Sequence, residues 1–199
     1  VLIFDEVQAG FGRTGKMWAF EHYGVNPDLI CIGKGVTSSL PLSGVIGKSE
    51  ILDIYPPGSM TSTHTGNPLS CRAAIASIRS LIDEDLIGNA ARLESVLKNA
   101  LVAIAGKHPD IIGRTSAKGL VGGLQVVKPG TREPCHDLAF DIIERAFHKG
   151  LLLFAPVGAW GQTVKLAPPL CITKEALEEG LEILAGCVDE AVGALARTA

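Results

Sequence analysis

Two short, unbroken apolar runs each end abruptly in a polar or glycine-rich segment. Residues 1–4 are followed at once by Asp5, and Leu29–Ile32 is followed by Lys34 between two glycines. Runs without polar interruption are typical of strands that are covered on both faces of a parallel sheet. Because ligands of such sheets bind beyond the carboxyl ends of the strands, we expect Asp5 and Lys34 at a functional edge.

A third strand and a helix complete the first half of the chain. The strand is predicted over Gly44–Gly47, after a turn at Pro41. The helix is predicted from Pro68 to about residue 81, with Asn67 as its N-cap. Asn is a favoured N-cap and Pro a favoured first helical residue, so these two neighbours indicate where the helix begins.

A long helical pattern over residues 86–105 separates this half from a different kind of second half. After it, short strands alternate with two amphipathic helices, an order typical of a separate α+β domain. We therefore predict one domain over residues 1–88 and another over residues 89–199. The predicted strands are residues 111–114, 120–127, 151–154 and 163–166, and the predicted helices are residues 136–149 and 173–195.

Composition excludes several classes of partner. The 18 Lys and Arg and 21 Asp and Glu give a formal net charge of −3 and are spread along the chain, so no nucleic-acid partner is expected. No apolar stretch approaches the roughly 20 residues that span a bilayer, so no membrane partner is expected. The five cysteines lie far apart without metal-ligand spacing, which favours a cytoplasmic protein without a bound metal.

The segment from Gly10 to Lys16 matches GxxxxGK, the pattern of loops that wrap nucleotide phosphates. Met17 stands where that pattern needs Ser or Thr to contact Mg²⁺, and five residues separate the apolar run from Gly10. A phosphate-binding, NTPase-like module that uses this segment is therefore kept as an alternative function.

Lys34 is the more informative residue. A lysine flanked by glycines after an apolar strand can approach a ligand closely and act as an amine nucleophile. The alternative is a solvated lysine in a surface turn, which is the common situation for lysines. The choice between them depends on the other motifs of the chain.

Four segments resemble one known family in their order and spacing: DEVQAGFGRTGKMWAFEHYGVNPDLI, GKG, THTGNPLSC and KLAPPLCIT. The chain is similar along its whole length to the class III aminotransferases, the pyridoxal-phosphate (PLP) enzymes of the 4-aminobutyrate and ornithine aminotransferase type. The resemblance implies an α/β, fold-type I PLP-dependent transferase. It also implies part of a large, mostly parallel sheet domain, a smaller α+β C-terminal domain, and a homodimer with shared active sites.

The resemblance also implies roles for individual residues. Lys34 matches the lysine that forms the internal aldimine with pyridoxal 5'-phosphate and then moves a proton, and Asp5 matches the aspartate paired with the pyridine nitrogen. Val7 matches the aliphatic residue on the ring face, and Gln8 matches the side chain that reaches the ring hydroxyl. For Val7, ordinary core packing is an equally good interpretation.

Thr63 matches the threonine that binds the cofactor phosphate across the dimer interface, and Ser62 is expected to assist it. Turn capping is the alternative for Ser62. Lys165 stands where the family usually has an Arg that grips a substrate carboxylate, so it is a tentative substrate contact without a bidentate fork. Ser116 and Ala117 similarly stand in place of a frequent Arg-Gly pair.

The resemblance implies transfer of an amino group from an amine or ω-amino acid to a 2-oxo acid such as pyruvate or 2-oxoglutarate. Another class III reaction on the same scaffold, such as decarboxylation-coupled transamination or an aminomutase reaction, is a close alternative, and an inactive interaction domain is a third. The family's N-terminal half supplies further cofactor contacts. We therefore expect residues 1–199 alone to form an incomplete site.

Overall fold

The computed structural model describes residues 1–59 and 61–198. These residues form two compact units, one over Val1–Ala91 and one that begins at Arg92. The division falls inside the long helix α3, Leu86–Lys107, and the helix predicted over residues 86–105 is confirmed. The assignment of the two halves to a large and a small domain, with its boundary at residue 88, stays a prediction.

The first unit contains a three-stranded sheet made of the three strands that the sequence predicts. Strand β1 (Ile3–Asp5) pairs in parallel with β2 (Leu29–Ile32), and Asp5 lies opposite Cys31. Strand β2 pairs antiparallel with β3 (Gly44–Gly47). Because β1 and β2 run in the same direction, the segments that follow them leave the sheet at the same end.

The apolar side chains of this sheet are more exposed than the sequence predicts. Ile3 in β1 is 55% exposed, and Val45 and Ile46 in β3 are 49% and 48% exposed. The expectation of strands covered on both faces is therefore wrong for the described residues. Side chains of a strand project from the two faces of the sheet, and the described residues leave these three side chains about half uncovered.

Two α-helices follow the sheet in the first unit, α1 (Ser49–Leu52) and α2 (Pro68–Asp83). The Asn67 side chain accepts hydrogen bonds from the N–H groups of Leu69 at 3.0 Å and Ser70 at 3.4 Å. These bonds confirm the predicted N-cap and the predicted start of the helix. Helix α1 was not predicted, because its four residues are too few to show a helical period.

The second unit contains an antiparallel sheet in the order β4-β5-β6. Its strands are β4 (Ile112–Lys118), β5 (Val121–Val126) and β6 (Thr163–Leu166), and its later helices are α4 (His136–His148) and α5 (Lys174–Thr198). The sequence predicts each of these elements to within a few residues. The strand β4 continues four residues past its predicted end at residue 114.

The core of the second unit is built from leucine, isoleucine and valine side chains of α3, β5, α4, β6 and α5 and of the turn between β4 and β5. The fully buried members include Leu97, Leu101, Leu120, Leu124, Val126, Ile142, Val164, Leu184 and Val188. None of the helices in the described ranges is long and apolar enough to cross a membrane. Among the described residues, no cluster of His, Cys, Asp or Glu side chains could hold a metal ion.

Residues 151–154 do not form the predicted strand, although all four are described. The Leu151 N–H donates to the last turn of α4 at 2.8 Å. Further along, Val157 and Thr163 exchange two backbone hydrogen bonds of 3.0 and 2.9 Å beside β6. Pro156 lies between these points and has no N–H, so a continuous ladder cannot form.

Candidate active site

Asp5 and Lys34 lie at the carboxyl ends of two neighbouring parallel strands. Asp5 is the last residue of β1 and pairs in register with Cys31 of β2. Lys34 follows the end of β2 by two residues and begins a single turn of 3-10 helix, Lys34–Val36. Both side chains are exposed. The structure therefore places a carboxylate and a primary amine at the same end of the sheet.

The Asp5 carboxylate is held by the backbone that follows it. The Val7 N–H donates to Asp5 Oδ1 at 3.0 Å, which limits rotation of the side chain. An ionised carboxylate has two acceptor oxygens with two lone pairs each, and this bond uses one of those positions. Asp5 can therefore accept a hydrogen bond from a ligand N–H while its orientation stays constrained.

Val7 and Gln8 occupy the turn directly after β1. Val7 is half-buried and packs against Gly33, the residue before Lys34. A Cβ atom added at Gly33 would lie 3.3 Å from Val7 Cγ1. The Gln8 side chain is exposed. Val7 thus links the loop that carries Asp5 to the loop that carries Lys34, and both sequence interpretations of Val7 remain open.

Close packing explains why glycines stand on both sides of Lys34. Gly33 lies against Val7, and a Cβ on Gly35 would lie 3.3 Å from Phe11 Cβ. Contacts this close leave little room for a side chain at either position. The sequence interpretation, in which the glycines let a ligand approach closely, is therefore not needed to explain them.

Lys34 itself has a left-handed backbone, with φ of 38°. This conformation costs a residue other than glycine roughly 1 to 2 kcal/mol, so it persists only where the surrounding structure imposes it. Residues strained in this way concentrate at functional sites. The conformation therefore supports a functional role for Lys34 over a solvated turn.

Helix α2 holds the turn after β2 in place through hydrogen bonds that were not predicted from the sequence. Ser77 Oγ donates to the Gly35 carbonyl at 3.3 Å and lies 2.9 Å from Ser38 Oγ. Thr37 Oγ1 also donates to a backbone carbonyl within the same loop. The available signal was a serine within an apolar helical pattern, because such a residue on a packed face needs a partner.

Glu6, also missed, is a buried carboxylate between Asp5 and Val7, with 1% of its surface exposed. Its two oxygens accept hydrogen bonds from the N–H groups of Ala19 and Phe20, each at 3.0 Å. A carboxylate can be buried only when such bonds replace its hydration. Glu6 therefore fixes the loop that orients Asp5, and the only signal for it was an acidic residue directly after an apolar strand.

The GxxxxGK segment forms a closed turn. Gly12 and Gly15 have φ of 87° and 83°, and the Gly15 N–H donates to the Gly12 carbonyl at 2.9 Å. Lys16 Nζ donates to the Glu21 carbonyl at 3.1 Å. A phosphate loop leads directly into an α-helix, whereas this turn leads to the four-residue 3-10 helix Ala19–His22. The geometry does not support the NTPase-like alternative.

Ser62 and Thr63 lie in the exposed loop that precedes α2, a different connection from those that carry Asp5 and Lys34. Ser62 Oγ lies 2.7 Å from Thr65 Oγ1, and the Ser62 N–H donates to the same oxygen at 3.2 Å. Ser62 is therefore engaged in a local turn. The Thr63 side chain lies at the surface of the first unit.

Lys165 lies in β6 of the second unit and is half-buried. Its Nζ is 5.3 Å from the centroid of the Phe154 ring, within the range of a cation–π interaction. Ser116 and Ala117 lie in β4 of the same unit. The site residues predicted from the sequence are thus divided between the two units, with Lys165 alone in the second.

The chain matches known proteins over nearly all of its length. A family model for class-III aminotransferases matches residues 1–188. The 4-aminobutyrate aminotransferase GabT of Escherichia coli is 38% identical over 192 residues, which are 96% of this chain and 45% of that protein. An alanine/serine racemase of Pyrococcus horikoshii is 41% identical over 184 residues, which are 92% of this chain and 38% of that protein.

A solved structure gives the same result at the level of the fold. The taurine:2-oxoglutarate aminotransferase of Bifidobacterium kashiwanohense, solved with PLP and glutamate, is 32% identical, with a TM-score of 0.85 over 95% of this chain and 44% of that chain. This likeness shows the fold-type I architecture. The chain spans less than half the length of these three proteins. Since the family model covers residues 1–188 of 199, the chain belongs to the class-III aminotransferase family.

Proposed function

We propose that this chain carries the catalytic lysine of a PLP-dependent aminotransferase. The enzyme moves an amino group from an amine or ω-amino acid to a 2-oxo acid. The observation that carries the proposal is the placement of Lys34 and Asp5 at the same end of adjacent parallel strands, in a chain of this family.

The groups at this end of the sheet fit two chemically different parts of a pyridoxal ring. An exposed primary amine can bond to an aldehyde, and a carboxylate can accept a hydrogen bond from a protonated ring nitrogen. When bound, PLP supplies an electron sink for the bond that breaks at the substrate carbon. The proposed cofactor-binding residues are Lys34, Asp5, Val7, Gln8, Thr63 and Ser62.

Each catalytic residue has a separate task in this proposal. Asp5 holds a proton on the ring nitrogen, because a fixed negative charge beside that nitrogen favours its protonated form. Lys34 Nζ moves the proton at the reacting carbon of the substrate. Glu6 contributes indirectly, since its hydrogen bonds to Ala19 and Phe20 hold the loop that begins at Asp5.

Lys165 is proposed as the contact for the carboxylate of the 2-oxo acid. It would attract the carboxylate as a point charge, without the paired parallel hydrogen bonds that an arginine makes. Acceptor binding should therefore be less sensitive to the orientation of the carboxylate than in a relative with arginine at this position.

The assembly and location of the protein also belong to the proposal. We propose a cytoplasmic homodimer in which Thr63 binds the phosphate of the cofactor in the neighbouring subunit. The exposed position of Thr63 supports this role. The first unit would be part of the large PLP-binding domain, and the second unit would be the small C-terminal domain.

The test is a panel of amine donors and 2-oxo acid acceptors with the purified full-length protein, its Lys34→Ala variant and its Lys16→Ala variant. We expect amino transfer that is abolished by Lys34→Ala and retained by Lys16→Ala, since Lys16 only closes a local turn. Transfer that survives Lys34→Ala would refute the proposal. ATP binding that is lost in Lys16→Ala alone would instead favour the NTPase-like module.

Racemisation of an amino acid is a second candidate function. The specific observation in its favour is the 41% identity to an alanine/serine racemase, slightly above the 38% identity to the 4-aminobutyrate aminotransferase. The same lysine and carboxylate would serve both reactions. Incubation of single enantiomers in D₂O without a 2-oxo acid separates them: a racemase yields the opposite enantiomer carrying deuterium, whereas an aminotransferase with catalytic cofactor yields no net conversion.

A further inference from the structure

Phe154 is a large apolar side chain that the second unit does not bury. Phe154 is 61% exposed, although the unit has a well-packed core. We propose that Phe154 positions Lys165 to bind the carboxylate of the 2-oxo acid. This inference rests on the proposed function. It assigns part of the acceptor selectivity of the same site to Phe154, which acts through the lysine.

The alternation of side chains along β6 directs Lys165 away from the core. Val164 and Leu166 are 0% and 6% exposed, so they face the core of the unit. Lys165 between them projects to the opposite side of the strand. Its register partner in β5 is Gly123, which has no side chain.

The segment that contains Phe154 approaches β6 from the side opposite β5. Val157 and Thr163 exchange two backbone hydrogen bonds, which hold the end of this segment against the start of β6. Three residues before Val157, the Phe154 ring lies beside the Lys165 side chain, and the ammonium is 5.3 Å from the ring centroid. At this distance the ring can limit the movement of the Lys165 ammonium group.

The chemistry of the pair also supports the inference. An aromatic face attracts an ammonium group through the ring quadrupole without neutralising its charge. The contact also limits the rotamers of a long, flexible side chain, so less conformational entropy is lost when the lysine binds an anion. Phe154 would thereby supply part of the preorganisation that an arginine obtains from its planar guanidinium.

The surroundings leave room for a small anion. Phe154 and Lys165 line a common cleft of about 250 Å³, together with Pro168, Pro169 and Ile172. The mostly apolar lining strengthens an electrostatic contact at Lys165, because it lowers the local dielectric constant. A carboxylate of a small 2-oxo acid matches this site in both charge and size.

The test compares four variants of the full-length holoenzyme with the wild type. Phe154→Leu keeps an apolar side chain but removes the aromatic face, and Phe154→Tyr keeps that face. Lys165→Met removes the charge, and the double variant joins Phe154→Leu to Lys165→Met. Phe147→Leu is the matched control, because Phe147 is an aromatic residue of the same unit with the same 61% exposure and does not line the cleft.

Steady-state kinetics with 2-oxoglutarate and pyruvate should divide the effects between KM and kcat. We expect Phe154→Leu to raise the KM for the acceptor roughly two- to five-fold with little change in kcat, as expected for loss of an exposed cation–π contact. Phe154→Tyr and the control Phe147→Leu should retain the wild-type KM. In the Lys165→Met background, Phe154→Leu should have no further effect, since the ring acts through the lysine.

Binding is also measured directly, by calorimetric titration of 2-oxoglutarate into the holoenzyme. This measurement tests the pairing of Phe154 with Lys165 separately from the proposed aminotransferase activity. Absence of amino transfer with any donor would refute the proposed function, while weaker binding in Phe154→Leu and in Lys165→Met would still support the pairing. Unchanged binding in Phe154→Leu, or an equal loss in the presence and absence of Lys165, would overturn the inference.

Discussion

The two units of the chain are stabilised by different kinds of interaction. The second unit has a continuous apolar core, and Leu97, Leu124 and Leu184 from three different elements are all 0% exposed. The first unit buries fewer apolar side chains and leaves much of its sheet exposed. It contains all the described residues that are both polar and buried, namely Glu6, Thr14, Thr37 and Ser70.

The two units differ in whether their buried interactions mainly provide stability or mainly orient side chains. Apolar burial is non-directional, so it stabilises the second unit without dictating the orientation of any one side chain. Hydrogen bonds are directional, and in the first unit they hold the loops that carry Asp5 and Lys34. We therefore expect core substitutions in the second unit to act on stability, and substitutions of buried polar groups in the first unit to act on the site.

The largest effect is expected from a matched pair of substitutions in the two sheets. Leu124→Ala in β5 should lower the free energy of unfolding by about 2 to 5 kcal/mol, because it opens a cavity in a packed core. Ile46→Ala in β3 should lower it by less than about 1.5 kcal/mol, since Ile46 is 48% exposed. Urea unfolding followed by circular dichroism measures both, and equal losses would break the distinction between the units.

An intermediate effect is expected from Glu6→Gln. A Gln side chain keeps one acceptor oxygen but turns an N–H group toward Ala19 or Phe20, where a second acceptor is needed. We expect a loss of about 1 to 3 kcal/mol in unfolding free energy, because one buried N–H loses its partner. A fall in kcat should accompany it as the Asp5 loop shifts, and steady-state kinetics at saturating substrate measure that fall.

Glu21→Gln is the matched control for this variant. Glu21 is exposed and its Oε1 accepts a hydrogen bond from the Trp18 N–H at 2.7 Å, which an amide oxygen can also accept. Both unfolding free energy and kcat should stay close to wild type. If the two variants behave alike, the buried hydrogen bonds of Glu6 do not orient the site.

The smallest effect concerns the pH dependence of the second unit. Hydrogen bonds from Lys107 at 2.5 Å and His108 at 2.6 Å hold the pKa of Asp189 below its ordinary value. The ionised carboxylate therefore stabilises the folded unit above the unfolded-state pKa of Asp, and this contribution is lost as pH falls through the lower folded-state pKa. The side chain is 38% exposed, so solvent screening keeps the contribution below about 1 kcal/mol.

Asp189→Asn tests this effect. Thermal unfolding at pH 7 should show a slightly lower Tm than wild type, and the difference should shrink as pH falls below about 4, where the wild-type carboxylate also becomes protonated. Glu178→Gln, on the same helix, is the control, since its partner Lys174 is an exposed neighbour at 3.3 Å. A Tm difference that is constant across the pH range would show that Asp189 contributes through packing.

The features that the sequence predicts well are those whose causes are local. The strands β1 and β2 are apolar runs with abrupt ends, and Asn67 caps α2 through residues two and three positions away. The features that it missed depend on distant partners. Glu6 reaches residues 13 and 14 positions ahead, and Ser77 binds a carbonyl 42 positions back.

Two wrong predictions have related causes. The apolar composition of β3 indicates burial, but composition cannot show whether another element covers the faces of the strand. Residues 151–154 are apolar enough for a strand, but Pro156 and the hydrogen bond of Leu151 to the end of α4 interrupt the pairing. In both cases the tertiary neighbours decide the outcome.

The central claim is that Lys34 forms the covalent link to the cofactor. Borohydride reduction of the full-length holoenzyme makes such a link permanent, and proteolysis with mass spectrometry then locates it. We predict a pyridoxyl phosphate adduct on the peptide that contains Lys34, with Lys16 and Lys48 of the same unit unmodified. An adduct on any other lysine, with Lys34 recovered unmodified, would contradict the account.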